Sequence, residues 1–368
     1  MTAHFRYAST PVATHGGYTA FMTKPPVPLR PAPPQSGGES LIRAAWATFA
    51  AAARRTFAGD EVAARYGDDE GALALVTRAT VAPGATGTSG WASHIVRTST
   101  AAFMADLAGV SAVSALIAMG NRPVTIPGGA AEIPLYFPQR PAGPTARAWV
   151  AENDPIPVSA ATLEALTLVV GKLGVIVVGS RELTRQASGE RMFRTILTED
   201  AAASLDAAYL GDDAATATSS AGLLYNVTPR ATTGNLLDDF QDLAMAVNAG
   251  GSGKVAFITS PGRAAALALR ADITATVLPS VVVPDDRLIA IDPMAVIHGF
   301  GVEPDLQASG EATVHMSDTP LPIVSGATAD PVSSMFQADR IAFRMLLDLG
   351  FVKRRANAVA FMDDLYGW

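Results

Sequence analysis

The chain has 368 residues, 49% of them hydrophobic and 7% aromatic, with a net charge of −7 and no cysteine. That length allows one large or two to three smaller domains with an ample core; the missing thiols exclude disulfides, thiolate metal sites and a cysteine nucleophile. The 23 Arg and four Lys form no dense basic block, which disfavours sequence-specific nucleic-acid binding, and with no secretory signal and no apolar run of about 20 residues the expectation is a soluble cytoplasmic protein without a membrane partner.

Residues 1–38, including KPPVPLRPAPPQSGG, keep no hydrophobic period. Their proline density forbids helix and central strand, so they read as an extended or disordered arm. Residues 39–58 put Leu41, Ile42, Ala45, Trp46 and Phe49 on one helical face. Gly59 to Asp69 is expected to break that helix, and a second helical pattern spans about 69–79. GATGTSGW (84–91) is a loop, helix resumes through WASHIVRTSTAAFMADLAG, and SAVSALIAMG after Gly109 reads as a turn and a short strand. VTIPGGAAEIPLYFP (124–138) reads as two short strands around a Gly-Gly turn.

A polar, proline-flanked loop follows, carrying Arg140, Arg147, Trp149, Glu152 and Asp154. It leads into two β-rich runs ending near Ser180, with Gly171 and Gly174 inside them as either hinge positions or bulge glycines. Residues 189–210 are the strongest periodic signal. Met192/Phe193, Ile196/Leu197, Ala201, Leu205 and Ala208/Tyr209 define a helix roughly 30 Å long that Gly211 stops. A Ser/Thr/Ala loop (214–222) precedes a βα pattern: helix Asn235–Ala249, strand Lys254–Thr259, and helix Pro261–Arg270 with proline in its first turn. Short strands are expected at Ser280–Val283, Arg287–Ile291, Ala295–His298 and Ala312–Met316. Met335–Leu347 reads as long antiparallel strand, with a helix over Arg340–Leu349 left open, and Ala358–Met362 closes the chain.

No motif in this order carries catalysis. AGGSGKVAF (249–257) places Asn248 where a phosphate loop needs glycine and Val255 where it needs Ser or Thr, and a strand follows instead of a helix; it reads as a turn. Of the five histidines, His298 and His315 alone could meet across paired strands, and polar edge residues explain them better than zinc. The Asp pairs at 68/69, 212/213, 238/239, 285/286 and 363/364 read as solvated turn and cap residues rather than acid–base or Mg²⁺ sites. No nucleophile elbow is present. No catalytic, cofactor-binding or metal residue is therefore assigned.

The order of elements says more. AWVAENDPIP (148–157) followed by LEALTLVVGKLGVIVVGSRELTRQ (163–186), then ERMFRTILTEDAAASLDAAYLGDD (190–213), SAGLLYNV (220–227), FITSPGRAAALALRAD (257–272) and MFQADRIAFRMLLDLGFVKRRANAVAFM (335–362), resembles the major capsid proteins of tailed phages. Their Hong Kong 97-like fold is shared by encapsulins. The resemblance implies an α+β chain with a flexible Pro-rich N-terminal arm (1–38), an N-terminal helical region and first strands (39–137), and an extended β-hairpin loop (138–180). The peripheral-domain spine helix (181–222), an axial α/β domain (223–325) and closing peripheral strands (326–368) follow.

By the same resemblance the protein is structural, not an enzyme. It is a major capsid protein that self-assembles as hexamers and pentamers into the icosahedral head shell of a tailed bacteriophage or prophage. That shell encloses double-stranded DNA without sequence specificity, in a virion assembled in the host cytoplasm. A portal protein, a maturation protease and a decoration protein are the implied partners, and no cofactor is implied. Arg147, Trp149, Glu152 and Asp154 would touch a neighbouring copy, Gly171 and Gly174 would let the hairpin root tilt, and Phe193, Leu197 and Leu205 would line the buried side of the spine helix. Some members weld their shells with a Lys–Asn bond from the extended loop. Here Arg147–Leu163 has no Lys, Lys172 lies well into a strand and Ser317–Ser334 has no Asn, so a non-covalent shell is expected. Two alternatives stand beside this reading. An encapsulin-type nanocompartment is disfavoured by residues 1–109, and a soluble α/β enzyme using Asp and His of 230–316 lacks a constellation.

Overall fold

Alanine dominates the first helix, α1 (Gly37–Arg54), and its small side chains let neighbours approach from every side. In the computed structural model, which describes residues 37–67, 69–77, 103–104, 106–120, 123–127, 129–139, 162–249, 251–270, 272–301, 304–316, 321–324, 327–329 and 331–365, the expected face of Leu41, Ile42, Ala45, Trp46 and Phe49 is buried. Ala44, Ala47, Ala50 and Ala53 are buried as well. The arm to residue 36, the loop 84–91, and the loop residues Arg140, Arg147, Trp149, Glu152 and Asp154 lie outside the described residues.

The break expected at Gly59–Asp69 is corrected. Helix α2 (Ala58–Tyr66) occupies it, with Asp60 and Glu61 in the first turn, where the helix dipole favours acids. Gly67, at φ +58°, ends it. Helix α3 (Glu70–Thr77) forms as expected, its entry capped by Asp69, whose Oδ1 accepts the Ala72 amide at 3.0 Å. The strand expected after Gly109 is instead helix α4 (Ala112–Met119). Ser111 caps it by accepting from the Ser114 amide, and Asp206 takes the amides of Ala112 and Val113, so tertiary capping overrides local β propensity.

The strands are β1 (Val124–Ile126), β2 (Glu132–Gln139), β3 (Thr162–Val169), β4 (Gly171–Ser180), β5 (Ala256–Thr259), β6 (Thr276–Pro279), β7 (Leu288–Ile291), β8 (Val296–Gly301), β9 (Asp305–Ser309), β10 (Thr313–His315), β11 (Leu321–Val324), β12 (Ala327–Ala329), β13 (Val332–Ser334), β14 (Arg340–Lys353) and β15 (Val359–Met362). The remaining helices are α5 (Gly189–Leu210), α6 (Leu236–Asn248) and α7 (Pro261–Ala268). Helices α5, α6 and α7 match the sequence reading, and Asn235 and Ser260 cap the latter two. One expected strand is misplaced: Ser280–Val283 is a turn, and the strand before it, β6, runs parallel to β5.

The larger sheet has the order β1-β8-β14-β4, with β9 also paired to β14. Strand β14 buries the alternate large side chains Ile341, Phe343, Met345, Leu347, Leu349 and Phe351, and its ladders with β4, β8 and β9 select strand over the helix left open. The smaller sheet, β15-β7-β5-β6, carries α6 and α7 and its own apolar cluster around Phe240, Leu243 and Phe257. Two adjacent chain paths cross between the sheets. One joins β7 to β8, the other β14 to β15, and they pair in both sheets through Ile291↔Val359 and Val296↔Lys353.

The hairpin expected over 138–180 is wired differently. Strand β3 pairs with β2 along eight positions, from Glu132↔Val169 to Gln139↔Thr162. Strand β4 turns away and pairs with β14, from Arg340↔Ser180 to Leu349↔Gly171. The two-strand ribbon is therefore β2–β3, and β1, which was expected to neighbour β2, runs parallel to β8.

Candidate functional site

The ribbon β2–β3 leads into residues 140–161, so its root decides what that loop can do. Across the ribbon, Ile133 faces Leu168 and Leu135 faces Leu166, and these apolar pairs lie on its half-buried side. Leu168 is fully buried, with Ile126 and Ile297 beside it. It seats where β8 and β14 present Gly299 opposite Gly350. A Cβ on Gly350 would stand 2.7 Å from both Leu168 Cδ2 and Val169 O, and one on Gly299 would press Ile126 and Leu168 at 3.1–3.2 Å. Two facing glycines thus open the socket that holds the ribbon.

Hydrogen bonds close the root. Ser220 Oγ donates to Val169 O at 2.7 Å and accepts the Phe351 amide at 3.1 Å, linking ribbon and sheet. The Val170 amide donates to Ala131 O at 2.8 Å. Of the proposed hinge residues, Gly171 lies against backbone, since a Cβ there would meet Thr218 O at 2.7 Å. Gly174 faces only the Leu346 side chain, at 3.1 Å. Neither Ser220, Gly299 nor Gly350 was picked out from the sequence. A glycine inside the apolar run of β14 was the available signal for a close approach.

Phe193, Leu197 and Leu205 of α5 are buried, as the periodicity requires. Phe193 joins Trp46, Phe49 and Phe343 in an aromatic cluster with centroids 5.1–5.7 Å apart. Further along α5, Asp206 is buried and receives Ser111 Oγ and Ser280 Oγ, each at 2.6 Å, beside the two α4 amides. Tyr209 stacks on Phe351 at 3.8 Å, and its hydroxyl lies 3.2 Å from His298 Nδ1. Burial pushes the His298 pKa down to about 4 and the Tyr209 pKa above its usual range.

The polar groups of 230–316 do not converge. Asp292 accepts the Ser252 amide and hydroxyl, the Met294 amide and Arg355, which ties residues 251–254, ahead of β5, to the junction after β7. Asp239, read as a solvated cap residue, is instead buried, accepting the hydroxyls of Thr232 and Thr233. Asp69 is also buried, and receives Arg43 and Ser40. His298 and His315 do not meet, because β8 pairs with β1 and β14 whereas β10 pairs with β13. Among the described residues no group of three His, Cys, Asp or Glu could hold a metal ion.

Exposed apolar side chains lie elsewhere. Ile176 is 52% exposed on the sheet side opposite the helices, in register with Arg344, which reaches Gln307 at 2.6 Å. Tyr136 is exposed on the ribbon, Val332, Met316 and Phe336 around β13, and Leu269, Val281 and Met245 around the smaller sheet.

Residues 95–364 match the model of the phage capsid family, and the chain belongs to that family. Membership in that family makes the protein a phage capsid shell protein, located in the virion. Among solved structures it is similar to one from Mycobacterium phage Bobi, at 19% identity and TM-score 0.45 over 67% of this chain and 89% of that one. It is also similar to one from Microbacterium phage Oxtober96, at 15% identity and TM-score 0.45 over 67% and 90%. A third is described as the capsid of an empty GTA particle computed with C5 symmetry, at 14% identity and TM-score 0.42 over 66% and 87%. Comparison with curated proteins gave no match.

Proposed function

We propose that this capsid subunit forms a closed icosahedral head shell of hexamers and pentamers, held without covalent bonds, around double-stranded DNA. The observation that carries the reading is the family match over residues 95–364. The anchored ribbon supports it: a projection with a locked root can transmit a contact made by its tip. In this reading Arg147, Trp149, Glu152 and Asp154 dock on a neighbouring copy, and Gly171 and Gly174 set the angle at which β4 leaves the root. Residues 1–38 act as an arm, 223–325 as the axial domain, and 181–222 with 326–368 as the peripheral domain. A portal protein, a maturation protease and a decoration protein are the partners, with assembly in the host cytoplasm. The net charge of −7 keeps the chain from binding packaged DNA tightly.

Negative-stain microscopy of the purified full chain tests this. Closed shells are expected, and replacing residues 140–161 by a short turn should leave a folded subunit that no longer closes shells. A small monodisperse oligomer from the unmodified chain would overturn the proposal, and shells filled with a host enzyme would favour a nanocompartment.

A further inference from the structure

The family match begins at residue 95, yet helices α1, α2 and α3 end at Thr77. A segment ahead of a family core invites reading as a detachable leader. The packing argues otherwise. No residue of α1 between Ser40 and Ala53 is exposed. On one side α1 meets Val62, Ala72 and Leu75 of α2 and α3, with Arg43 and Ser40 both donating to Asp69 at 2.9 Å. On the other side Trp46 and Phe49 complete the aromatic cluster with Phe193 of α5 and Phe343 of β14.

The core in turn is shaped to receive α1. A Cβ at Gly179 in β4 would stand 2.9 Å from the Phe49 ring, so this glycine makes room for α1. Polar ties run the same way. Glu39 takes a two-pronged pair of hydrogen bonds from Arg194 at 2.7 and 2.8 Å, Arg181 donates to Ala53 O, Arg54 donates to Thr184 O, and Arg65 approaches Glu190 at 3.8 Å. Every one of these links joins the helices to the segment from β4 into the first two turns of α5. Removing α1 would uncover Phe193, which is fully buried against Trp46 and Phe49, and leave Arg194 without Glu39 and Arg181 without the Ala53 carbonyl.

We infer that α1–α3 is a permanent brace of the spine helix, so that proteolytic processing of this chain leaves Gly37–Thr77 in the subunit wherever it cuts. A cut before Gly37 spares the brace. A cut between Thr77 and Phe103 leaves it bound through the contacts above.

The test uses the full chain with a site for a sequence-specific protease, flanked by short Gly-Ser linkers, placed either between Gln35 and Ser36 or within 84–91. After complete cleavage, size exclusion and thermal melting are read on whatever assembly state the protein adopts, so the result does not depend on shell formation. Cutting at 35/36 should leave the melting temperature unchanged. Cutting within 84–91 should leave both fragments co-eluting until denaturant unfolds them together. Phe49→Ala in that second protein should release the brace at least about a hundredfold faster. Free elution of the brace fragment from a remainder that melts unchanged would overturn the inference, as would release insensitive to Phe49→Ala.

Discussion

Tyr209 and His298 show how a single buried pair ties a helix to two strands and sets a pH response. His298 sits on β8, opposite Phe351 of β14, under α5. Its pKa is lowered from 6.5 to about 4, with burial as the cause. As pH falls below 6.5 the unfolded chain takes up a proton that the native ring refuses, so stability declines until about pH 4, where both states are protonated. The shift corresponds to roughly 3 kcal/mol lost across that window. His298→Gln keeps a partner for the Tyr209 hydroxyl and removes the titration. In urea unfolding at pH 7 and pH 4.5 the unmodified chain should lose clearly more stability than the variant, and equal losses would refute the assignment. Residues of this kind divide by legibility. Phe193, Leu197 and Leu205 were readable because helical period is local. Ser220, Gly299, Gly350 and the Tyr209–His298 pair were not, because each owes its role to a partner far along the chain.

Elements with one dominant period were legible for the same reason. Helix α5 announces itself, whereas the alternation of β14 reads as strand but leaves a helix over Arg340–Leu349 open until the pairing with β4, β8 and β9 decides it. Helix α4 does not announce itself: its Val and Ile content reads as strand, and only Ser111 and the distant Asp206 cap it into a helix. The pairing of β2 with β3 was hidden too, since strand signals do not name their partners. The root of this ribbon gives a graded prediction. Gly171→Ala would push a methyl against Thr218 O, a backbone atom that cannot rotate away, and should destabilise the subunit by about 1–3 kcal/mol. Gly174→Ala meets only the end of Leu346, gains strand propensity, and should cost less than about 1 kcal/mol. Denaturant unfolding of both variants measures the order, and a reversed order would show that Gly171 is not pinned.

For the whole molecule, the question is what holds copies together. Four lysines serve the entire chain. Lys353 is committed inside the subunit, donating to the carbonyls of Leu223 and Tyr225 at 3.1 and 3.0 Å, and desolvation lowers its pKa. Lys172 lies on β4 in register with Asp348, and Lys254 lies in the turn before β5. The loop that would have to offer an amine to a neighbour, Arg147–Leu163, contains none. In the proposed non-covalent shell, cohesion between subunits comes from burial of exposed side chains such as Ile176, Tyr136, Val332 and Phe336. Such contacts yield to denaturant, whereas amide cross-links do not. Particles boiled in SDS should therefore run as one monomer band, and particles taken apart in guanidinium should give subunits of unchanged mass. A ladder of covalent multimers would refute non-covalent closure and would direct the search for the bond to Lys24, Lys172 or Lys254.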